Sequence, residues 1–378
     1  MCLKNVTLEN NETVKTINYD VILAIYIITF LIGLPANLLS LYTFLRKVCK
    51  KPAPIDILLL NLTLSDIMLL IFLPLKMSEA AEKNEWHFYK VLCGITSCTF
   101  HSSIYISTLF LTSISVDRYL GVAFPIKYKL KRKLAYAVMA SVFIWLLVGS
   151  HCSMVFYVRS MDDKMPETSQ HVSDHVVCYK EFNERQRKII YPFRLELCLV
   201  LFCIPFVITC FCYIKVIRIL ASLPNVQPRK KQRSMGLAVV TLLNFAICFC
   251  PFNISHIFGF LSCKDPEWRD YTFALSSFNT CLDPFIFFFS SNAMRRNVTV
   301  CWAGLYRRVR LILPQCSLPC CKRLRDTDEG AGAVGLSSSS GLGGPSVGTE
   351  SSSFGHAAKS CEVRALNPEQ AAVYSSMI

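Results

Sequence analysis

The chain has 378 residues, 53% of them hydrophobic and 17% charged, with a mean hydropathy of +0.40. That is too apolar for a soluble domain of this size, so the chain is expected to be an integral membrane protein. Its net charge of +14 does not imply nucleic acid, because the Lys and Arg fall mainly between apolar runs and no base-stacking or groove-reading motif accompanies them.

Residues 1–20 form a polar tail with two acceptor sequons, Asn5-Val6-Thr7 and Asn11-Glu12-Thr13, expected to be extracellular and glycosylated. The first apolar run is long and lacks a basic leader and a small-residue cleavage site, so it is expected to act as an uncleaved insertion signal. Apolar segments follow near 21–45, 54–79, 90–122, 134–157, 190–220, 234–260 and 270–291. They predict an all-α membrane protein, a seven-transmembrane helix bundle over 21–291. The third, from Cys93 to Asp117-Arg118-Tyr119, is long enough that it must tilt and is the piece around which the others are arranged. The connections after the first, third and fifth segments carry Arg46, Lys47, Lys50 and Lys51; Lys127, Lys129, Lys131, Arg132 and Lys133; and Arg229, Lys230, Lys231 and Arg233. The positive-inside rule makes these cytoplasmic, with the amino terminus outside and the tail inside.

Residues 292–310 place Met294, Val298, Trp302, Leu305 and Val309 among Arg295, Arg296, Arg307, Arg308 and Arg310, the pattern of an amphipathic juxtamembrane helix on the inner leaflet. Cys316, Cys320 and Cys321 follow, as palmitoylation sites or as inert thiols. Residues 311–378 read as a disordered Ser/Gly-rich cytoplasmic tail whose hydroxyl clusters are either a solvated linker or a phosphorylation region. About half of the nineteen cysteines, Cys98 and Cys152 among them, lie in apolar segments and read as small hydrophobes.

Asn37, Asp66, Asn244 and Asp283 stand inside spans, where ionisable groups usually face the bundle interior. Asp66 and Asp283 with Asn37 and Asn279 form either a hydrogen-bonded packing knot or an oxygen-lined site for water or Na⁺. Pro74, Pro205, Pro251 and Pro284 interrupt helices and are expected to kink them. Arg194 lies eleven residues before Pro205, about 16 Å along a helix, in the outer third of its span. A guanidinium there binds a carboxylate in fork geometry, snorkels to headgroups, or pairs with an acid. Glu196 points off its face, whereas Glu181 remains a partner or lid.

Several motifs stand one set per span: Gly33-Leu34-Pro35-Ala36-Asn37, Asn61-Leu62-Thr63-Leu64-Ser65-Asp66, Asp117-Arg118-Tyr119, Trp145, Pro205 with Tyr213, Cys248-Phe249-Cys250-Pro251 and Asp283-Pro284-Phe285-Ile286-Phe287. In this order they resemble the rhodopsin-like (class A) G-protein-coupled receptors over about residues 20–310. The resemblance implies a Cys93–Cys178 disulfide and an activation switch built on Asp117, Arg118, Tyr119, Asp66, Asp283 and Pro284. The chain departs from the family at Phe249, usually Trp, and at Asp283 and Phe287, usually Asn and Tyr.

Residues 121–129, 194–202, 236–245 and 252–256 are similar to the free fatty acid receptors for short-chain carboxylates, the type 2 branch more than type 3. This implies a ligand such as acetate, propionate or butyrate held by Arg194 and Arg269, with His151, His256 and Tyr105 around it and Glu181 nearby. Phe252 and His101 stand where that family has tyrosines. It also implies coupling to heterotrimeric G proteins of the Gi/o and Gq types, and arrestin binding through a phosphorylated tail. The alternatives are a receptor for another small anion and a membrane carboxylate transporter, the latter lacking visible internal repeats. Neither an enzyme nor a cofactor is expected, since there is no metal-ligand set, nucleophile motif or phosphate loop.

Overall fold

The computed structural model describes residues 17–131, 133–160, 178, 183–223 and 227–312. Asn5, Asn11, Glu181, Cys316, Cys320 and Cys321 lie outside the described residues. The chain forms two compact units, one running through Val298 and the other beginning at Thr299.

Helices account for every span. They are α1 Tyr19–Lys50, α2 Pro54–Ala81, α3 Lys90–Ala123, the short α4 Pro125–Lys131, and α5 Leu134–Ser160. The fifth span is α6 Glu184–Glu196, a π-helical stretch Leu197–Cys203 and α7 Ile204–Ser222; the sixth is α8 Pro228–Asn244, a π-helical stretch Phe245–Phe249 and α9 Cys250–Ser262. The seventh is α10 Arg269–Ser276 and α11 Asn279–Ser290, followed by α12 Asn292–Ile312. The fifth and sixth spans thus begin six residues earlier than the apolar runs at about 190 and 234, because helical hydrogen bonding continues into their polar ends.

Among the described residues six helices are long and apolar enough to cross a membrane. The remaining span, α3, has 34 residues, about 51 Å against an apolar slab of about 30 Å, so it runs tilted. Its Ser, Thr and His residues lower its hydropathy because it packs at the centre, against α2, α5 and α7. Large apolar side chains such as Leu31, Ile71, Leu146 and Val207 are exposed on the outer faces of the bundle, which is how a lipid-facing surface differs from a soluble one.

The prolines shape two of the spans. A proline clashes with the carbonyl four residues before it and cannot donate to it. For Pro205 and Pro251 that carbonyl belongs to Leu201 and Ile247, and in both spans it falls inside the π-helical stretch, whose wider turn relieves the clash. The two widened turns are joined by an aromatic stack. Phe202 lies over Phe206 at 5.9 Å, Phe206 meets Phe245 at 5.6 Å, and Phe245 meets Phe249 edge-on at 5.7 Å.

Two disulfides tie α3 outward. Cys93 pairs with Cys178 as the family resemblance implied, with Cα atoms 5.8 Å apart across 85 residues; closing a loop of that length stabilises by about 4.5 kcal/mol in the chain-entropy account. Cys98 and Cys152, read from sequence as small hydrophobes, instead pair α3 with α5, Cα atoms 5.9 Å apart. Periodicity places both in apolar runs but cannot say that their helix faces meet.

Candidate functional site

Among the described residues the outer half of the bundle holds two neighbouring cavities. The smaller, about 60 Å³, is lined by His101, Tyr105, Val148, His151, Arg194 and His256, with Cys98, Cys152 and Leu197 supplying its apolar wall. The larger, about 280 Å³, shares Ser97, His101 and Arg194 with it and adds Lys76, Asp265 and Arg269.

Arg269 opens the seventh span and is only 8% exposed. Its Nη1 is 3.0 Å from both Ser255 Oγ and His256 Nδ1, and its guanidinium lies over the Phe252 ring at 4.9 Å. A guanidinium has no acceptor, so it donates, and His256 Nδ1 must be the unprotonated ring nitrogen. The imidazole hydrogen is then on Nε2, which is 3.1 Å from Tyr105 Oη and donates to it. The phenol is left with its own O–H to give. The chain Arg269–His256–Tyr105 therefore turns a hydrogen-bond donor toward the small cavity. Phe252 supplies a cation–π face where a tyrosine would have supplied a second hydroxyl.

Arg194 reaches the site from α6. Its Nη1 stands 3.0 Å from both carboxylate oxygens of Asp265, and its guanidinium is 6.0 Å from the Tyr191 ring centroid. Asp265 lies in the connection between α9 and α10, outside the spans. Burial pushes its carboxyl pKa up, but the guanidiniums of Arg194 and Arg269 outweigh burial and hold it below the ordinary carboxylate range. Proximity in sequence points to Glu196 and Glu181 as partners of Arg194 and gives no sign of Asp265. Glu196 instead sits 3.4 Å from His151 Nε2, and Glu181 lies outside the described residues. His151 gives its Nδ1–H to Leu147 O at 2.8 Å and stacks on Phe193 at 6.0 Å, so it lines the same cavity as Arg194 without touching Arg269's hydrogen-bond chain. His101 donates from Nδ1 to Ser97 O at 2.7 Å and packs tilted against Phe273 at 4.8 Å.

One further ion pair escaped sequence reading. Lys76 Nζ is 2.6 Å from Glu79 Oε2 at the outer end of α2, both nearly buried. An i, i+3 pair looks like surface decoration in one dimension; here it lines the larger cavity.

At mid-bundle Asp66 and Asp283 face each other, fully buried, and Asn244 Nδ2 donates to Asp283 Oδ1 at 2.7 Å. Neither Asn37 nor Asn279 gives its amide hydrogens to the two acids, though the Oδ1 of each is a buried acceptor with no partner among the described residues. The Asn37 amide spans the helices instead, donating to Gly33 O at 3.0 Å and Thr280 O at 2.8 Å. Asn279 donates to Ser107 Oγ at 3.2 Å. Both Asp66 oxygens, Asp283 Oδ2, Asn244 Oδ1 and Asn279 Oδ1 are buried acceptors without a protein donor.

The inner mouth departs from expectation as well. Asp117 and Arg118 are not paired with each other. Asp117 Oδ1 accepts a short hydrogen bond from Tyr128 of α4, and Arg118 Nη2 donates across the bundle to Ser290 O at 2.8 Å. Neighbours in a helix point about 100° apart, so each finds its partner on a different element. Together with Tyr213, Arg233 and Phe289 they line a cavity of about 40 Å³. Pro284 lies within α11, and Tyr119 packs edge-on against Phe211 at 5.7 Å.

The family profile described as 7 transmembrane receptor (rhodopsin family) matches residues 36–287. The chain is 45% identical to free fatty acid receptor 2 of Mus musculus over 278 residues, 73% of this chain and 83% of that protein. It is 43% identical to free fatty acid receptor 2 of Homo sapiens over 312 residues, 82% and 92% of the two chains. Against free fatty acid receptor 3 of Homo sapiens the identity is 41% over 278 residues, 74% and 79%. The chain belongs to the free fatty acid receptors of the rhodopsin family. As a member it is a multi-pass plasma-membrane receptor for a small-molecule ligand, signals through G proteins and is not an enzyme. In this receptor the outer cavities hold the polar side chains suited to a ligand, and the inner cavity lies among the residues of the Asp117-Arg118-Tyr119 segment.

Proposed function

We propose that the receptor senses short-chain monocarboxylates, acetate, propionate and butyrate, in the smaller outer cavity. The observation that carries this is the Arg269–His256–Tyr105 chain converging with Arg194 on a space of about 60 Å³. That space admits about four to six water-sized groups, enough for a carboxylate and a short alkyl chain but not for a long one. The carboxylate sits where the two cavities share Arg194, accepting from that guanidinium, from Arg269 on the side of the larger cavity and from Tyr105 O–H, and the alkyl end rests in the smaller cavity on Val148, Leu197 and the Cys98–Cys152 wall. Lys or another point charge would not reproduce the planar fork. His151, held by Leu147 O and Glu196, closes the side of the cavity.

Signal passes inward past the two π-helical stretches to the inner cavity, where Gi/o- and Gq-type G proteins engage, and arrestin binds the phosphorylated tail. The orphan acceptors around Asp66 and Asp283 suit a hard cation such as Na⁺, which takes oxygen ligands, or ordered water. Among the described residues no group of three or more His, Cys, Asp or Glu is placed to hold a metal, so such an ion would rely on the two carboxylates and the Asn244 and Asn279 amide oxygens. The deciding experiment is a panel of carboxylates from formate to decanoate against nucleotide exchange on several G proteins. Response confined to about two to five carbons is the expected result; a response that grows with chain length beyond six, or none at all, removes the reading.

A further inference from the structure

One arginine of the outer site already holds an anion of the chain itself. Arg194 Nη1 sits 3.0 Å from each oxygen of Asp265, and the side chains are 12% and 30% exposed. Arg269 also acts on the Asp265 charge. The segment that presents Asp265 leaves α9 at Cys263, a disulfide-bonded residue in left-handed backbone with φ 55°, and re-enters helix at Arg269. It packs against the outer end of α9 because Gly259 has no side chain: a Cβ built there would lie 3.2 Å from Asp265 Oδ1. Asp265 lines only the larger, outer cavity, whereas Arg194 lines both.

Resting on the carboxylate reading above, we infer that Asp265 is a tethered competitor that occupies the guanidinium of Arg194 and must be displaced when a ligand carboxylate binds. With both Asp265 oxygens on Nη1, a second carboxylate brought to the same guanidinium meets like-charge repulsion in a partly buried site. Asp265 therefore sets the affinity by lowering it. A small acid gains little from apolar contact, so the internal competitor tunes the receptor to an abundant ligand rather than a trace one.

The test uses full-length receptor in membranes with two readouts, propionate potency in nucleotide exchange and the rate at which phenylglyoxal, an arginine reagent, modifies Arg194 as read by peptide mass spectrometry. Asp265→Asn should lower the propionate concentration for half-response by about tenfold, speed Arg194 modification several-fold, and restore protection when propionate is added. Gly259→Ala, which crowds the Asp265 carboxylate without removing it, should move both readouts in the same direction by less. Should Asp265→Asn not reach the surface, Asp265→Ser is the second variant. Unchanged potency with unchanged Arg194 reactivity overturns the inference, as does a lost response at normal surface expression, which would make Asp265 a positioning residue for Arg194. Failure of the carboxylate reading looks different: wild-type receptor answers no acid in the panel. In that case the Arg194 reactivity decides, faster modification in Asp265→Asn supporting the occupied fork and equal rates overturning it.

Discussion

Replacing Arg269 with alanine removes more than one charge. Its Nη1 contacts Ser255 Oγ and His256 Nδ1, both at 3.0 Å, and the second contact fixes which ring nitrogen carries the hydrogen. Without it His256 is free to place its hydrogen on Nδ1, and Tyr105, 3.1 Å from Nε2, then donates to the imidazole instead of to the ligand. The bound carboxylate loses one guanidinium and one hydroxyl together. Half-pairing a buried anion costs about 3 to 5 kcal/mol, which at about 1.4 kcal/mol per decade is two to four orders of magnitude in potency. Nucleotide exchange against propionate, at surface expression matched by antibody, should therefore show no response in the accessible range. Arg269→Lys should recover little, because an ammonium reaches one of the two partners and cannot present a fork. Tyr105→Phe, which deletes only the hydroxyl, should cost about one to two orders, the worth of one hydrogen bond to a charged group. An Arg269→Ala receptor that reaches the surface and answers propionate at unchanged concentration would refute the hydrogen-bond chain as the anchor.

Four other outcomes are expected. A ligand of about five non-hydrogen atoms cannot exceed about 7.5 kcal/mol, and desolvating its carboxylate leaves affinities near 0.1 to 1 mM; nanomolar binding of propionate would contradict the size argument. Asp265, whose pKa is held below the ordinary carboxylate range, contributes stability that is present at neutral pH and fades as pH falls through its unfolded and then its folded value, so purified wild-type receptor should lose more thermal stability than Asp265→Asn between pH 6 and pH 3 (on the order of the unfolded Asp pKa). At the inner mouth, Asp117→Asn should raise basal exchange and Arg118→Ala abolish it, while Tyr128→Phe frees Asp117 to pair with Arg118 and should lower basal exchange; three unchanged rates would show that this segment is not the switch. Glycans on Asn5 or Asn11, with the tail cleaved by protease only from the cytosolic side, are expected from the orientation, and a cytosolic amino terminus would reverse it.

The amino-acid order alone determined the seven spans, because about twenty apolar residues must be helical to satisfy their backbone in lipid. It also marked Arg194, a costly charge in the outer third of a span, whereas Arg269, His256 and Tyr105 were named only through the resemblance to the free fatty acid receptors. What it could not give was partnership. Asp265 stands in a connection, 71 residues from Arg194, and only the approach of α9 to α6 over Gly259 brings them together. Glu196, two residues from Arg194, turns instead to His151, and adjacent Asp117 and Arg118 turn to Tyr128 and Ser290. Cys98 and Cys152 looked like filler until α3 and α5 were laid side by side. Helical periodicity fixes which face a residue occupies, a local property of 100° per residue, whereas which faces meet depends on tilt, proline-widened turns and loop paths that no single segment encodes.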